Sequence, residues 1–239
     1  MQTLADAQAA RIPAESLWLD HPVQSLRPTG KGAWEVASQG RTLEADAVIL
    51  AIQPAKMRPL IGPLDDEWDK LLSGVPAHDS ATLNLVFRTS DVGFPLDGFG
   101  FVASMERKGL IAGVSFVSRK FEGRAPEGYE LLRVFLGAEA ARSFRSQDNE
   151  HAVVEKVLEE LNPILKLKSG PVVRHLAFYS EAMTYYRPGH LSLASRMLQK
   201  AGETKGLYLA GNGLGGVGIP DCIVSGETAA EKAFADLLS

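Results

Sequence analysis

Between Leu209 and Asp221 the chain reads Leu-Ala-Gly-Asn-Gly-Leu-Gly-Gly-Val-Gly-Ile-Pro-Asp, with five glycines in the eight positions 211–218. Backbone so bare of side chains suits few places in a fold: a sharp turn, or main chain lying close against something large. The residues Leu207 to Ala210 in front of it read as a short strand. Pro220 behind it suits the first turn of a helix, where its missing N–H costs nothing. Ile223, Ala230, Ala233, Phe234 and Leu237 then give a helix of about Pro220 to Leu238 one apolar face. In such a unit the unsatisfied N–H groups and positive dipole end of the helix point at the loop, where they stabilise an anion. Tight packing of a strand-to-helix turn calls for the same glycines, and both readings stand at this point.

A second segment shares that character. Arg41 to Ile52 reads as one strand whose later part, Ala45 to Ile52, is almost continuously apolar, as a strand buried on both faces of a parallel sheet should be. Before it, Ser16 to Arg27 and Trp34 to Ala37 form strands around the Gly30-Lys31-Gly32 turn. The middle of the chain is strand-rich, with Ala81–Thr89, Phe99–Ser104, Leu110–Ser118, Leu131–Leu136 and Pro171–Tyr179. Short connections there predict a mixed or antiparallel sheet. Helices are predicted over Leu4–Arg11, Asp65–Leu72 and Glu150–Leu161. The fold class is α+β: two pieces at 1–60 and 200–239 that look like parts of one α/β domain, and a sheet-rich domain at 61–199.

Several functions are excluded or disfavoured by composition. A net charge of −4 without any run of Lys or Arg argues against a nucleic-acid partner. The single cysteine, Cys222, permits no intrachain disulfide, and the five histidines show no metal-ligand spacing. No stretch reaches the ~20 apolar residues of a transmembrane helix, and the first residues carry no secretory signal. A cytoplasmic protein, in contact at most with a membrane surface, is expected. Ser192, Ser195 and Ser225 lack the Gly-x-Ser-x-Gly context of a hydrolase nucleophile.

The segments Gly206–Asn212, Gly216–Ile223, Ser225-Gly226 and Ala229–Glu231 closely resemble the C-terminal flavin segment of protoporphyrinogen oxidases, members of the flavin-containing amine oxidase superfamily. Phe116–Pro126 is similar to that family's Ser-x-x-Phe-x-x-Arg-Ala-Pro segment, and Leu132–Gly137 resembles the strand after it. Ala182–His190 resembles its Ala-Met-Pro-Gln-Tyr-x-x-Gly-His segment, with Thr184-Tyr185 in place of Pro-Gln and Pro188 in place of a small apolar residue. The resemblance implies FAD as cofactor, held by a partial Rossmann-like FAD/NAD(P)-binding domain at 1–60 and 200–239 beside a mixed or antiparallel-sheet substrate-binding domain at 61–199, a tetrapyrrole-like substrate and a place in heme biosynthesis. It carries cofactor contacts onto Val23, whose backbone would meet the adenine end, and onto Tyr179, where many members have Trp. Val217, Gly218 and Ile219 would lie against the flavin ring, with Gly211 and Asn212 of the loop beside them. The loop's helix would then favour the N1–C2 carbonyl edge of the reduced ring.

No Gly-x-Gly-x-x-Gly follows an early strand. The resemblance places Met1 midway along such a protein, with the pyrophosphate-binding βαβ unit upstream. The expected flavin site is therefore only partly present. The chain alone should bind FAD weakly or not at all, and open strand edges should favour self-association. No catalytic residue is assigned, because hydride transfer is the cofactor's own chemistry. His190 reads as structural, Arg119, Lys120 and Arg124 as a solvated basic turn before they read as partners of substrate propionates, and Phe94, Phe99, Phe101 and Phe116 as core. Two alternatives stay open: an amine oxidase or desaturase paralogue, and a non-catalytic interaction module.

Overall fold

The computed structural model describes residues 2–30, 32–104, 109–143 and 150–238. Along the chain, α1 (Gln2–Ala9) precedes β1 (Val23–Pro28), β2 (Trp34–Ser38), β3 (Arg41–Ala45) and β4 (Val48–Leu50). Then come α2 (Pro54–Ile61), α3 (Asp66–Ser73), β5 (Ala77–Arg88), β6 (Gly100–Val102) and β7 (Ile111–Phe116). A single turn of helix, α4 (Val117–Lys120), leads to β8 (Tyr129–Leu136), α5 (Ala138–Ser143), α6 (Glu150–Leu165) and β9 (Val173–Thr184). The last elements are α7 (His190–Glu203), β10 (Leu207–Leu209) and α8 (Ile219–Leu237).

Two compact units result, one of residues 1–76 with 186–239, the other of residues 77–185. The boundaries differ from those read in the sequence, 60/61 and 199/200, for a packing reason. Trp68, Leu71 and Leu72 of α3 share a core with Ala194, Met197 and Ala201 of α7, so both helices join the first unit. Lys200 of α7 adds ion pairs to Asp65 (2.9 Å) and Glu67 (3.2 Å), which at the surface contribute little beyond orientation.

In the first unit, β1, β2 and β3 form an antiparallel meander, while β4 and β10 pair in parallel with Val48 opposite Leu207 and Leu50 opposite Leu209. The predicted strand Arg41–Ile52 is thus two strands in two sheets. Its alternating half serves the meander, and its apolar half crosses to the parallel pair. The predicted strand Ser16–Arg27 likewise starts only at Val23, because a short 3-10 turn at Ala14–Ser16 and the positive φ of Asp20 interrupt it. Leu207 and Leu209 point into the core with Trp34, while Tyr208 and Ala210 pack on Ala229 and Ala233 of α8. Strand β10 is therefore buried on both faces. Strand β4 is not: Ile49 is 40% exposed. Among the described residues the outer edges of both strands are unpaired.

The second unit is a five-stranded antiparallel sheet in the order β6-β7-β8-β5-β9. Period-two alternation in β5 sends Ala81, Leu83, Leu85 and Phe87 into one core, where α6 contributes Val153, Val154, Val157, Leu161 and Leu165 at helical spacing. Helix α6 runs four residues past its predicted end, through Pro163. Among the described residues, no helix is long and apolar enough to cross a membrane.

Candidate functional site

Strands β4 and β10 point the same way, and each is followed by a helix. Ala51 to Gln53 lead into α2, and Ala210 to Gly218 lead into α8. Two helix N-termini therefore gather at the carboxyl ends of parallel strands, the usual place for a ligand in an open α/β sheet. The ladder extends one step further there, the Ala210 N–H donating to the Leu50 carbonyl at 3.0 Å. A cleft of about 450 Å³ opens beyond it, lined by Ile52, Gln53, Lys56, Gly211, Asn212 and Cys222. That volume falls within the range of small-molecule and cofactor sites. A second cleft, about 510 Å³, follows the open edge of β10 between α7 and α8, past Leu198, Leu207, Val224 and Lys232. Its lining also includes Gly211, Leu214, Gly215, Gly216 and Asp221 of the loop; the first cleft touches both segments that follow the parallel strands, so it is the better candidate.

The glycine loop is held at nearly every step. The Gly211 N–H donates to Ser225 Oγ at 3.0 Å, with φ of +107° at Gly211, a conformation that favours glycine. The Tyr186 hydroxyl donates to the Asn212 carbonyl at 2.7 Å and accepts the N–H of Gly216. Burial pushes the Tyr186 hydroxyl above the usual tyrosine range, and the Gly216 N–H pulls it part of the way back. Buried His190 donates from Nε2 to the Leu214 carbonyl at 3.1 Å, and its ring stacks on Tyr186 at 3.7 Å and 13°. At the helix entrance Gly218 N–H donates to the Asp221 carboxylate at 3.1 Å.

This geometry divides the glycines between the two sequence readings. A Cβ on Gly213 would run into the ring of Pro54, and one on Gly216 into the Asp221 side chain. One on Gly218 would stand 2.8 Å from Asp221 Oδ2. Those three glycines answer to internal packing. Gly215 has nothing within 4 Å of a Cβ, and Gly211 answers to its φ. What the loop turns outward is an apolar rim, with Val217 54% and Ile219 43% exposed. The positive end of α8 is also less free than composition suggests, because Asp221 already brings a negative charge to it.

Of the predicted contacts, Gly211, Asn212, Val217, Gly218 and Ile219 lie together along this loop. Val23 lies on the antiparallel meander, in a separate cleft of about 480 Å³ with Trp18, His21, Val36, Arg41 and Leu43. Tyr179 is on β9 of the second unit, half exposed. Arg119 of the basic turn is bound to buried Glu130, which also accepts from Ser118 Oγ at 2.6 Å. Lys120 and Arg124 flank the ring of Phe121 at 5.5 and 5.9 Å. Phe116 is core, with Phe94 and Phe101 packed against it, whereas Phe99 is exposed. Residues 51–56 and Tyr186 carry no predicted role. The first could have been found from the carboxyl-end rule applied to the apolar run. Tyr186 could not, because its hydrogen bonds exist only in three dimensions. Among the described residues, no cluster of His, Cys, Asp or Glu could hold a metal ion.

Comparison with known proteins adds a lineage to this geometry. Residues 1–233 match the flavin containing amine oxidoreductases. The chain is 29% identical over 198 residues to the coproporphyrinogen III oxidase of Propionibacterium freudenreichii, covering 82% of this chain and 37% of that protein. It is 27% identical over 241 residues to the Bacillus subtilis protein of the same name, covering 100% and 50%. A solved structure from Exiguobacterium sp. 255-15, provisionally assigned as a protoporphyrinogen oxidase, shares the fold with a TM-score of 0.75 at 23% identity, covering 92% and 47%. The chain spans half or less of the length of these curated relatives.

Proposed function

This chain belongs to the flavin containing amine oxidoreductase family, and from that premise we propose that it contributes the loop side of an FAD site to an oxidase of porphyrinogens, the class of the protoporphyrinogen and coproporphyrinogen oxidases. The observation that carries this proposal is a glycine loop pinned by Tyr186, His190 and Ser225 at the carboxyl ends of two parallel strands. The first unit would hold the cofactor, and the second the substrate.

The residues present fit a flavin. Gly211 leaves the main chain bare at the mouth of the cleft, and the rim of Val217 and Ile219 offers an apolar edge to a flat ring. The group would supply two-electron oxidation of the substrate when bound. The chain's own part is placement. Tyr186 and His190 fix the loop carbonyls of Asn212 and Leu214 inward, so that the backbone from Gly215 to Ile219 keeps one shape. That rigidity is what preorganisation of a cofactor site requires. None of these groups has to gain or lose a proton. The adenine end would reach the separate cleft at Val23, and the open edges of β4 and β10 would accept further strands, from an upstream segment or from another copy.

Titrating the full chain with FAD and following flavin fluorescence tests the reading. The expected signal is quenching that saturates well above equimolar flavin, as follows if this chain gives only the loop side of the site. Tight equimolar binding would show a complete site in this chain. No change at any flavin concentration would remove the flavin assignment.

A further inference from the structure

The open face of the five-stranded sheet in the second unit has a composition that its packing does not explain. Alternate side chains of β5 enter the core, so Thr82, Asn84, Val86 and Arg88 stand on the other face. Register places Phe135 beside Thr82 and Arg133 beside Asn84, with His175 of β9 across from Asn84. On the other flank Gly113 and Ser115 of β7 pair with Phe135 and Arg133. The paired positions of this face hold Arg88, Arg133 and His175, and among the described residues no aspartate or glutamate. Glu130, the acid of β8, is buried on the opposite side with Arg119.

Arg133 sits near the centre of that face. Its Nε donates to Asn84 Oδ1 at 2.9 Å, a bond that orients the guanidinium and uses one of its five donors. No carboxylate among the described residues pairs with it. A guanidinium held this way presents a ready fork for a carboxylate. The next row across the sheet, Gly113, Phe135, Thr82 and Ala177, is one 43% exposed ring among small side chains. Cationic row and flat apolar row lie side by side.

We propose that Arg133, positioned by Asn84, binds a carboxylate of an amphipathic tetrapyrrole polycarboxylate whose apolar ring system rests over Phe135. The proposal deepens the porphyrinogen reading, from which it takes the identity of the ligand; the site itself follows from charge complementarity and register. Of the basic turn, Arg119 is already bound to Glu130, while Lys120 and Arg124 lie over the ring of Phe121.

Fluorescence anisotropy of coproporphyrin III, a stable tetracarboxylate, with the full chain is the test, run beside its tetramethyl ester. The native chain should bind the acid more tightly than the ester. Arg133→Gln should weaken the acid at least about tenfold, the size of a lost charged hydrogen bond, and leave the ester unchanged. Arg133→Lys should recover part of the loss, and Lys120→Gln should change nothing. Equal binding by the native chain and Arg133→Gln, an equal loss in Lys120→Gln, or no porphyrin binding would each overturn the proposal. Flavin titration of the same variants keeps the two readings apart. Porphyrin binding through Arg133 without flavin binding would leave the carboxylate site standing and remove the flavin site.

Discussion

Trp34→Ala is expected to lose about 3–5 kcal/mol, the usual range for truncating a large aromatic in a core. Trp34 is 1% exposed, and its Nε1–H donates to the Lys205 carbonyl at 3.0 Å. It thereby ties the antiparallel meander to the turn that starts β10. Gly206, with φ of +72°, lets the turn pass so close that an added Cβ would lie 3.1 Å from Nε1. Removing the indole leaves a cavity and a carbonyl without its donor, worth about 1–3 kcal/mol more if water does not reach it. Against a typical total of about 5–15 kcal/mol, that is a large share. Hydrogen exchange should show the loss in residues 1–76 and 186–239, while the amides of β5 and β8, which rest on another core, keep their protection. Trp34→Phe, which keeps a ring but not the donor, should lose less. A variant whose exchange matches the native chain would show that Trp34 is not the link described.

Gly213→Ala should also be damaging, although it adds one methyl group. The new Cβ would collide with Cγ and Cδ of Pro54. Pro54 is the first residue of α2, and its closed ring cannot rotate away. Either α2 or the loop must shift, and overpacking of this kind typically loses about 1–3 kcal/mol. At about 2–4 °C per kcal/mol the melting temperature should fall by several degrees. Gly215→Ala is the matched control, because its Cβ meets nothing within 4 Å. Thermal melts of the two variants check the packing account directly. It requires a clear drop for position 213 and almost none for position 215, and equal behaviour would contradict it.

Much of this architecture is legible in the residues, and the failures have physical causes. The period-two pattern of β5 and the helical spacing of α6 each name their own buried face, so that core needs no further information. The break between β3 and β4 is also visible, as a change from alternation to an unbroken apolar run at Ala47. The pattern alone does not say that the two halves part company into different sheets, because both extended forms suit the same residues. Helix α7 buries His190, Ala194, Met197 and Ala201 at helical spacing. Its role in deciding the unit boundary depends on α3, 120 residues away in sequence, which no local window sees. Helix α2 is masked by its internal Pro59.

The loop shows the same division. Its glycines mark the site, yet they do not reveal which answer to Pro54, which to Asp221 and which to a ligand. Nor do they announce Tyr186 and His190, whose stacked rings hold three of its backbone groups. Charge patterning likewise points to Arg119 and its neighbours as the cationic surface. The paired strands instead bring Arg133, Asn84 and His175 into one row.

Hydrogen–deuterium exchange of the full chain, with and without saturating FAD, measures the central claim most directly. The flavin should slow exchange in the amides of residues 51–56 and 211–222, around the cleft at the ends of β4 and β10, and leave the amides of Leu198, Gly202 and Lys232, on the helices of the second cleft, unchanged. Protection confined to the helices around Leu198 and Lys232, or no protection between Gly211 and Cys222 while flavin is bound, would contradict it.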